Sequence, residues 1–133
     1  MYLIDTSVLT RLRVHAVSDR IEELDPEGLA RTSMTDLEVG FSARSPDEWD
    51  RLAVALGAFG RIDVEARHFD RARQVQRQLA ARGLRGRKIP DLLVAAVAEA
   101  ASLTVLHHDA GFDHIAAVTG QPTRGIVERG SID

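Results

Sequence analysis

Short apolar runs alternate with longer helical patterns along the chain. The apolar runs predict five strands, at residues 2–4, 29–32, 61–64, 103–106 and 125–128. Apolar positions spaced three and four apart predict helices at about residues 6–13, 18–24, 35–43, 65–81, 91–101 and 111–118, with one more beginning at Pro46. Strands that alternate with helices predict an α/β fold in which helices cover a central, mostly parallel sheet.

Capping residues mark the predicted start of several helices. Thr35 and Glu38 have the spacing of a capping box, and Ser45 precedes a proline at the first helical position. The helix that begins at Asp91 is apolar almost all round, which is typical of a buried helix. The apolar face from Trp49 to Phe59 fits either the core of this domain or a groove for a partner.

Length and composition indicate a single domain that spans residues 1–133. The chain is 44% hydrophobic and 28% charged, which excludes a disordered or fibrous protein. It has no cysteine, which excludes a disulfide framework, a zinc finger and a thiol nucleophile. No basic leader precedes an apolar run, and no run reaches the length of a membrane span, so a cytoplasmic protein is expected.

The charge distribution is uneven although the net charge is only −3. Residues 67–88 contain eight basic side chains and one acid, and this segment ends directly before Asp91. Arginine binds phosphate in a planar, bidentate manner, so this stretch predicts contacts with a phosphate backbone. A genome rich in G and C would explain the arginine excess equally well.

Four acids are predicted to meet at one edge of the sheet. Asp5 and Asp109 follow strands, whereas Glu38 and Asp91 lie in the first turns of helices that follow strands. In a parallel sheet these positions lie at the carboxyl ends of the strands, where ligands bind. Asp113 stands four residues after Asp109 and could share its face.

Each acid also has a purely structural explanation. Glu38 could complete the capping box, Asp5 could cap the first helix, and Asp91 could interact with a helix dipole. Asp113 could be an ordinary surface acid. Two carboxylates ~5 Å apart repel by about 3 kcal/mol at an effective dielectric of 20, so a cluster of four requires a cation. Oxygen ligands without cysteine favour Mg²⁺ or Mn²⁺ over zinc.

The histidines that precede the fourth acid are weaker candidates. His107 and His108 are adjacent on a predicted strand and therefore point to opposite faces, which disfavours joint metal binding. Packing at the strand end is the expected role.

The segments around the four acids resemble PIN-domain nucleases, and among these the VapC toxins of bacterial toxin–antitoxin modules. The similar segments are residues 3–7, 34–40, 90–96 and 108–113, and the likeness covers essentially the whole chain. It implies a three-layer PIN-like fold and a metal site of Asp5, Glu38, Asp91 and Asp109, with Asp113 as an accessory acid. Many relatives have Ser or Thr shortly before the fourth acid, where this chain has histidines.

The resemblance further implies a Mg²⁺-dependent endoribonuclease, with Mn²⁺ able to substitute. Its partners would be RNA and a VapB-type antitoxin, in a homodimer or a toxin–antitoxin hetero-oligomer without a membrane. The residues predicted to contact RNA are Thr6, Arg82, Arg85, Arg87 and Lys88.

Two other functional classes compete with this interpretation. A receiver-like signalling domain also has acids at strand ends, but it needs an acid pair after the first strand, where this chain has Asp5 followed by Thr6. A non-catalytic PIN-like module that binds RNA or protein stays open, although all four acids are present.

Overall fold

The computed structural model describes residues 1–84 and 87–133. A 3₁₀ turn at Asp25–Glu27 precedes the second strand. The strands are β1 Tyr2–Ile4, β2 Leu29–Thr32, β3 Gly60–Ile62, β4 Thr104–His107 and β5 Thr123–Gly125. The helices are α1 Thr6–Leu9, α2 His15–Leu24, α3 Ser33–Gly40, α4 Pro46–Leu56, α5 Ala66–Ala81, α6 Ile89–Ala100 and α7 Gly111–Thr119.

The five strands form one sheet in the order β3-β2-β1-β4-β5. All four pairings are parallel, and Leu3 of β1 lies between Ala30 of β2 and Val105 of β4. The chain therefore moves outward from β1 to β2 and β3, and then returns to the other side of β1 through β4. The reversal of direction lies between β1 and β4, which is where ligands bind in sheets of this kind.

Helices cover both faces of the sheet, because neighbouring strand residues point in opposite directions. Leu3 and Val105 belong to a core built with α5, α6 and α7, whereas Ile4 and Leu106 belong to a second core with α1 and α2. The result is three layers, helix, sheet and helix. The predicted α/β class with a central parallel sheet is confirmed.

Helix α6 is the buried helix that the sequence predicts. Every residue from Asp91 to Ala98 is buried. This packing fixes the first turn of α6, and with it Asp91, against the carboxyl end of the sheet. Among residues 1–84 and 87–133, no helix combines the length and the apolar character that a membrane crossing requires.

The apolar face of α4 packs mainly on this domain. Leu56 is buried, and the half-exposed Trp49 lies directly over Gly40 of α3, where a Cβ atom would be 2.7 Å from the indole Nε1. The close approach of the two helices explains the glycine at this position.

Two predicted boundaries are wrong for identifiable reasons. Helix α3 begins after Thr32, whose Oγ1 accepts a hydrogen bond from the Thr35 N–H at 3.1 Å, so Thr32 and not Thr35 is the N-cap. The last strand is Thr123–Gly125 instead of residues 125–128, because Ile126 fills the core beyond the strand while exposed residues form the ladder. An apolar pattern predicts which residues are buried. In this segment the buried residue follows the residues that pair with β4.

Candidate active site

Asp5 and Asp109 lie on either side of the point where the sheet reverses direction. The Asp5 N–H donates to the Leu106 carbonyl at 2.9 Å, which ties the end of β1 to β4. Ser7 completes this connection, because its N–H donates to Asp5 Oδ2 at 3.0 Å and its Oγ accepts from the His108 N–H at 2.9 Å. Asp5 is therefore the N-cap of α1, as one interpretation of the sequence proposed. It is also a buried acid at the carboxyl end of the sheet.

Glu38 faces the same edge and is held by Thr6. The Thr6 hydroxyl donates to Glu38 Oε1 at 2.9 Å. Because α3 begins after Thr32, Glu38 lies beyond the first turn and takes no part in the predicted capping box. Burial raises the pKa of Glu38, and the hydrogen bond from Thr6 only partly opposes that effect. The structural explanation for Glu38 is therefore removed.

Asp91 and Asp109 converge around Gly111. A Cβ atom placed on Gly111 would lie 3.2 Å from Asp109 Oδ1 and 3.5 Å from Asp91 Oδ2. The Gly111 N–H donates to Asp109 Oδ1 at 2.8 Å and holds that carboxylate in place. Glycine leaves the space between the two carboxylates open.

The buried acids resist ionisation in this arrangement. Burial raises the pKa of Asp91 to about 7, and the negative charges of Asp5 and Asp109 add to the effect. Burial also raises the pKa of Asp5, against hydrogen bonds from Ser7. Desolvation and like charges both disfavour the carboxylate form, which is the electrostatic condition that a bound cation would relieve.

Asp109 behaves in the opposite way. Burial acts to raise its pKa, but the hydrogen bond from the Gly111 N–H and the charge of Lys88 outweigh it, so the pKa is lowered. The Lys88 Nζ lies 3.4 Å from Asp109 Oδ2. Asp109 in turn raises the pKa of Lys88, and the charges of Asp91 and Asp5 contribute. The single lysine of the chain therefore faces the acidic cluster.

The donor set fits a hard divalent cation. Carboxylate oxygens from four segments are the ligands that Mg²⁺ and Mn²⁺ prefer, and the chain contains no cysteine that would favour zinc. In the part of the chain that the structure describes, no three acidic or histidine side chains lie close enough together to hold one ion. An ion held by three of these acids would require their side chains to move closer together, while α1, α3 and α6 keep the backbone beside Asp5, Glu38 and Asp91 in place.

The remaining predicted acid and the histidines take other contacts. Asp113 forms an ion pair with Arg129. His107 is buried, its Nδ1 accepts from the Asp109 N–H at 3.2 Å, and its ring lies 5.1 Å from that of Phe112. His107 thus packs at the strand end, as expected.

The predicted RNA contacts divide into separate groups. Arg87 lies near the acids, with Nη1 3.9 Å from the position that a Cβ of Gly111 would take, and Lys88 is beside Asp109. Arg82 instead donates to the Ala117 carbonyl at 3.2 Å. The Thr6 hydroxyl donates its hydrogen bond to Glu38. Arg85 lies outside the described residues.

Sequence reasoning missed two residues that shape the site. Ser7 supplies a hydroxyl that accepts from the backbone N–H of His108, directly before Asp109, from a position 101 residues away. Its place two residues after Asp5 indicated only a helix cap. Gly111 is visible in the sequence as the second residue after Asp109, but its role depends on the approach of Asp91.

Comparison with known proteins gives consistent matches. A model of the PIN domain family matches residues 2–118. The chain is 59% identical to Ribonuclease VapC51 of Mycobacterium tuberculosis over 133 residues, which cover 99% of this chain and 97% of that protein.

Solved structures share the fold. VapBC2 from Rickettsia felis, crystallised with a DNA fragment from its promoter, matches with a TM-score of 0.79 at 19% identity, over 93% of this chain and 97% of that chain. VapBC-5 from Mycobacterium tuberculosis, a member of the VapBC family of toxin–antitoxin systems, matches with a TM-score of 0.63 at 26% identity, over 95% and 97%. The receiver-like alternative is thereby set aside, and the chain belongs to the PIN domain family.

Proposed function

We propose that this protein is a metal-dependent endoribonuclease, the toxin of a VapBC-type module, whose site consists of Asp5, Glu38, Asp91 and Asp109. The observation that carries the proposal is that Asp91 and Asp109 face each other across Gly111, near enough to Asp5 and Glu38 for the charges of these two acids to act on Asp91. The raised pKa of Asp91, about 7, supports it, since buried like charges need a cation to coexist. The 59% identity to a protein named as a ribonuclease supports the choice of RNA.

Each residue has a defined task in this proposal. When bound, Mg²⁺, or Mn²⁺ in its place, supplies an activated water and neutralises charge on the phosphate. Asp5 and Asp91 present buried oxygens, and the Gly111 N–H holds Asp109 in position. Thr6 orients Glu38 through its hydroxyl.

Cations on the chain complete the site. Arg87 and Lys88 lie at the acidic edge, where they can bind the phosphates that flank the reacting one. Asp113 is assigned an accessory role beside Asp109, because both face the cleft beyond β4 and β5. Arg82 and Arg85 stay predicted RNA contacts without support from this geometry.

We further propose a VapB-type antitoxin as the partner, in the cytoplasm and in a homodimer or a hetero-oligomer. Support comes from the likeness to VapBC-5 and from α3, where Leu37 and Phe41 are 73% and 91% exposed on either side of Glu38. An apolar surface next to a catalytic acid suits a segment that covers the site. Expression of this chain alone should slow growth, and co-expression of the small protein from the neighbouring reading frame should restore it.

A cleavage assay with an end-labelled oligoribonucleotide tests the proposed activity. We expect cleavage with Mg²⁺, none with EDTA, and none with Asp5→Asn. The exposed Asp50→Asn on α4 is the matched control and should cut at the wild-type rate. Wild-type protein that binds Mn²⁺ but leaves a broad set of cellular RNAs intact would contradict the proposal and favour the non-catalytic module.

A further inference from the structure

A second cleft, of about 740 Å³, lies between α5 and the side chains of Leu84, Arg87 and Leu92. Arginine side chains from both sides line it, together with one acid and apolar side chains. Those that matter here are Arg73, Arg77, Arg87, Asp70, Leu84 and Leu92. Three guanidinium groups against one carboxylate make the cleft electropositive, in contrast to the acidic edge beside it.

Arg87 belongs to both regions. It lines the cleft, and its Nη1 lies 3.9 Å from the point beside Gly111 where the carboxylates of Asp91 and Asp109 converge. Its Nε is buried and has no hydrogen-bond partner within residues 1–84 and 87–133. A phosphate oxygen in the cleft is an acceptor that would satisfy this donor.

Some arginines of α5 form ion pairs with acids of this chain, and others do not. Arg71 donates to both carboxylate oxygens of Glu99, and Arg67 pairs with Glu65. Arg73 and Arg77 form no ion pair within the described parts of the chain and are exposed. They are four residues apart, so they lie one above the other on the helix face that borders the cleft.

We infer that this cleft binds backbone phosphates of single-stranded RNA next to the cleaved bond. The inference rests on the proposed ribonuclease function and states where the RNA substrate lies on the protein. Residues 70–80 of α5 extend for roughly 15 Å at the usual rise per residue, which provides room for a short run of nucleotides. Arginine suits phosphate through bidentate hydrogen bonds, and Leu84 and Leu92 offer an apolar wall to sugars or bases.

The test uses a fluorescent 12-nucleotide single-stranded RNA and the double variant Arg73→Gln, Arg77→Gln. With EDTA present to prevent cleavage, its affinity should fall about tenfold at roughly 50 mM salt. The slope of log K against log salt should become smaller by about 1.4, the loss of two phosphate contacts to a single strand. With Mg²⁺, KM should rise while kcat stays constant, because neither arginine touches the reacting phosphate.

Two single variants control for charge and position. Arg67→Gln removes a positive charge from the same helix outside the cleft and should change neither affinity nor slope. Asp70→Asn removes the negative charge from the cleft and should tighten RNA binding severalfold. Circular dichroism confirms that each variant folds.

Two results would overturn the inference. One is an active wild type whose RNA affinity and salt slope are unchanged in the double variant. The other is a double variant that binds RNA normally but loses affinity for the antitoxin, which would assign the cleft to an acidic peptide. A wild type that cuts no RNA would instead remove the proposed function, so the two failures are distinguishable.

Discussion

Asp91 and Asp109 are the same residue type, lie on either side of Gly111, and have opposite electrostatic environments. Asp91 is 7% exposed and its pKa is raised to about 7 by burial and by neighbouring acids. Asp109 has a side chain that is 25% exposed, and it gains a backbone N–H and the ammonium of Lys88, which lower its pKa. Lys88 lies within hydrogen-bond distance of Asp109, whereas at Asp91 its charge only partly offsets burial and the neighbouring acids.

At Asp91 the stability of the fold conflicts with the proposed metal binding. A buried acid without a partner destabilises the protein whenever it is ionised. Helix α6 keeps the carboxyl group of Asp91 buried, and the other buried residues of this helix are all apolar. Such local conflicts are typical of functional sites. A bound cation should therefore act most strongly on the Asp91 side.

The largest expected effect is that of Asp91→Asn. Loss of residues that only support metal ligands costs 10–100-fold in activity, so loss of a ligand should reduce RNA cleavage by at least about 100-fold. The metal-free variant should nevertheless melt at a higher temperature than the wild type at pH 8. Asp109→Asn should lose as much activity but should melt lower, since it leaves Lys88 without its partner. Equal shifts of melting temperature in the two variants would contradict the comparison.

The stability of the metal-free protein should depend on pH with a defined sign. The pKa of Asp91 is about 7 in the folded state and 3.8 as a reference, so the folded state binds more protons between these values. Stability should then fall as the pH rises from about 4 to 7, by at most about 4 kcal/mol from this group. Thermal melts at pH 5 and pH 8 measure the change. Added Mn²⁺ should reduce the fall, and Asp91→Asn should flatten it.

Replacement of Lys88 tests the other half of the comparison. Lys88→Met should raise the pKa of Asp109 and should strengthen Mn²⁺ binding up to about fivefold, because a competing cation is removed. The gain is small because the side chain of Lys88 is 74% exposed. Arg44→Met, which removes an exposed cation paired with Glu48 on another part of the chain, is the control and should leave metal affinity unchanged. Weaker metal binding in Lys88→Met would contradict this role.

The smallest effect is expected from Thr6→Val. It removes the 2.9 Å hydrogen bond to Glu38 while retaining the shape of the side chain. Stability should decrease by about 1 kcal/mol, and kcat should decrease severalfold because Glu38 loses its orientation. Thr6→Ser should restore both, which separates the hydroxyl from the methyl group.

Local signals in the sequence were sufficient where one segment determines its own structure. The strand Leu29–Thr32 was predicted with its observed bounds, and Ser45 with Pro46 located the start of α4. The cap of α3 was misassigned because Thr32 and Thr35 are both suitable caps, and the end of β2 decides between them. The placement of Asp5 and Asp109 at the same edge of the sheet was predictable because topology alone brings strand ends together.

The surroundings of the acids were not predictable in the same way. The direction of a long side chain depends on packing between distant segments. The sequence therefore could not distinguish Lys88 from Arg82, which lie in the same basic stretch. In the structure Lys88 faces Asp109, and Arg82 reaches the carbonyl of Ala117 near the end of α7. The contact of Ser7 with His108 likewise depends on the pairing of β1 with β4.

Calorimetric titration of Mn²⁺ at pH 6, in two buffers with different ionisation enthalpies, tests the central claim most directly. At that pH Asp91, with a pKa of about 7, is largely protonated, and metal binding requires its carboxylate form. We predict saturable binding with release of roughly one proton or more per protein, and a markedly smaller release from Asp91→Asn. Absence of binding, or binding with the same proton release in the wild type and Asp91→Asn, would contradict the account.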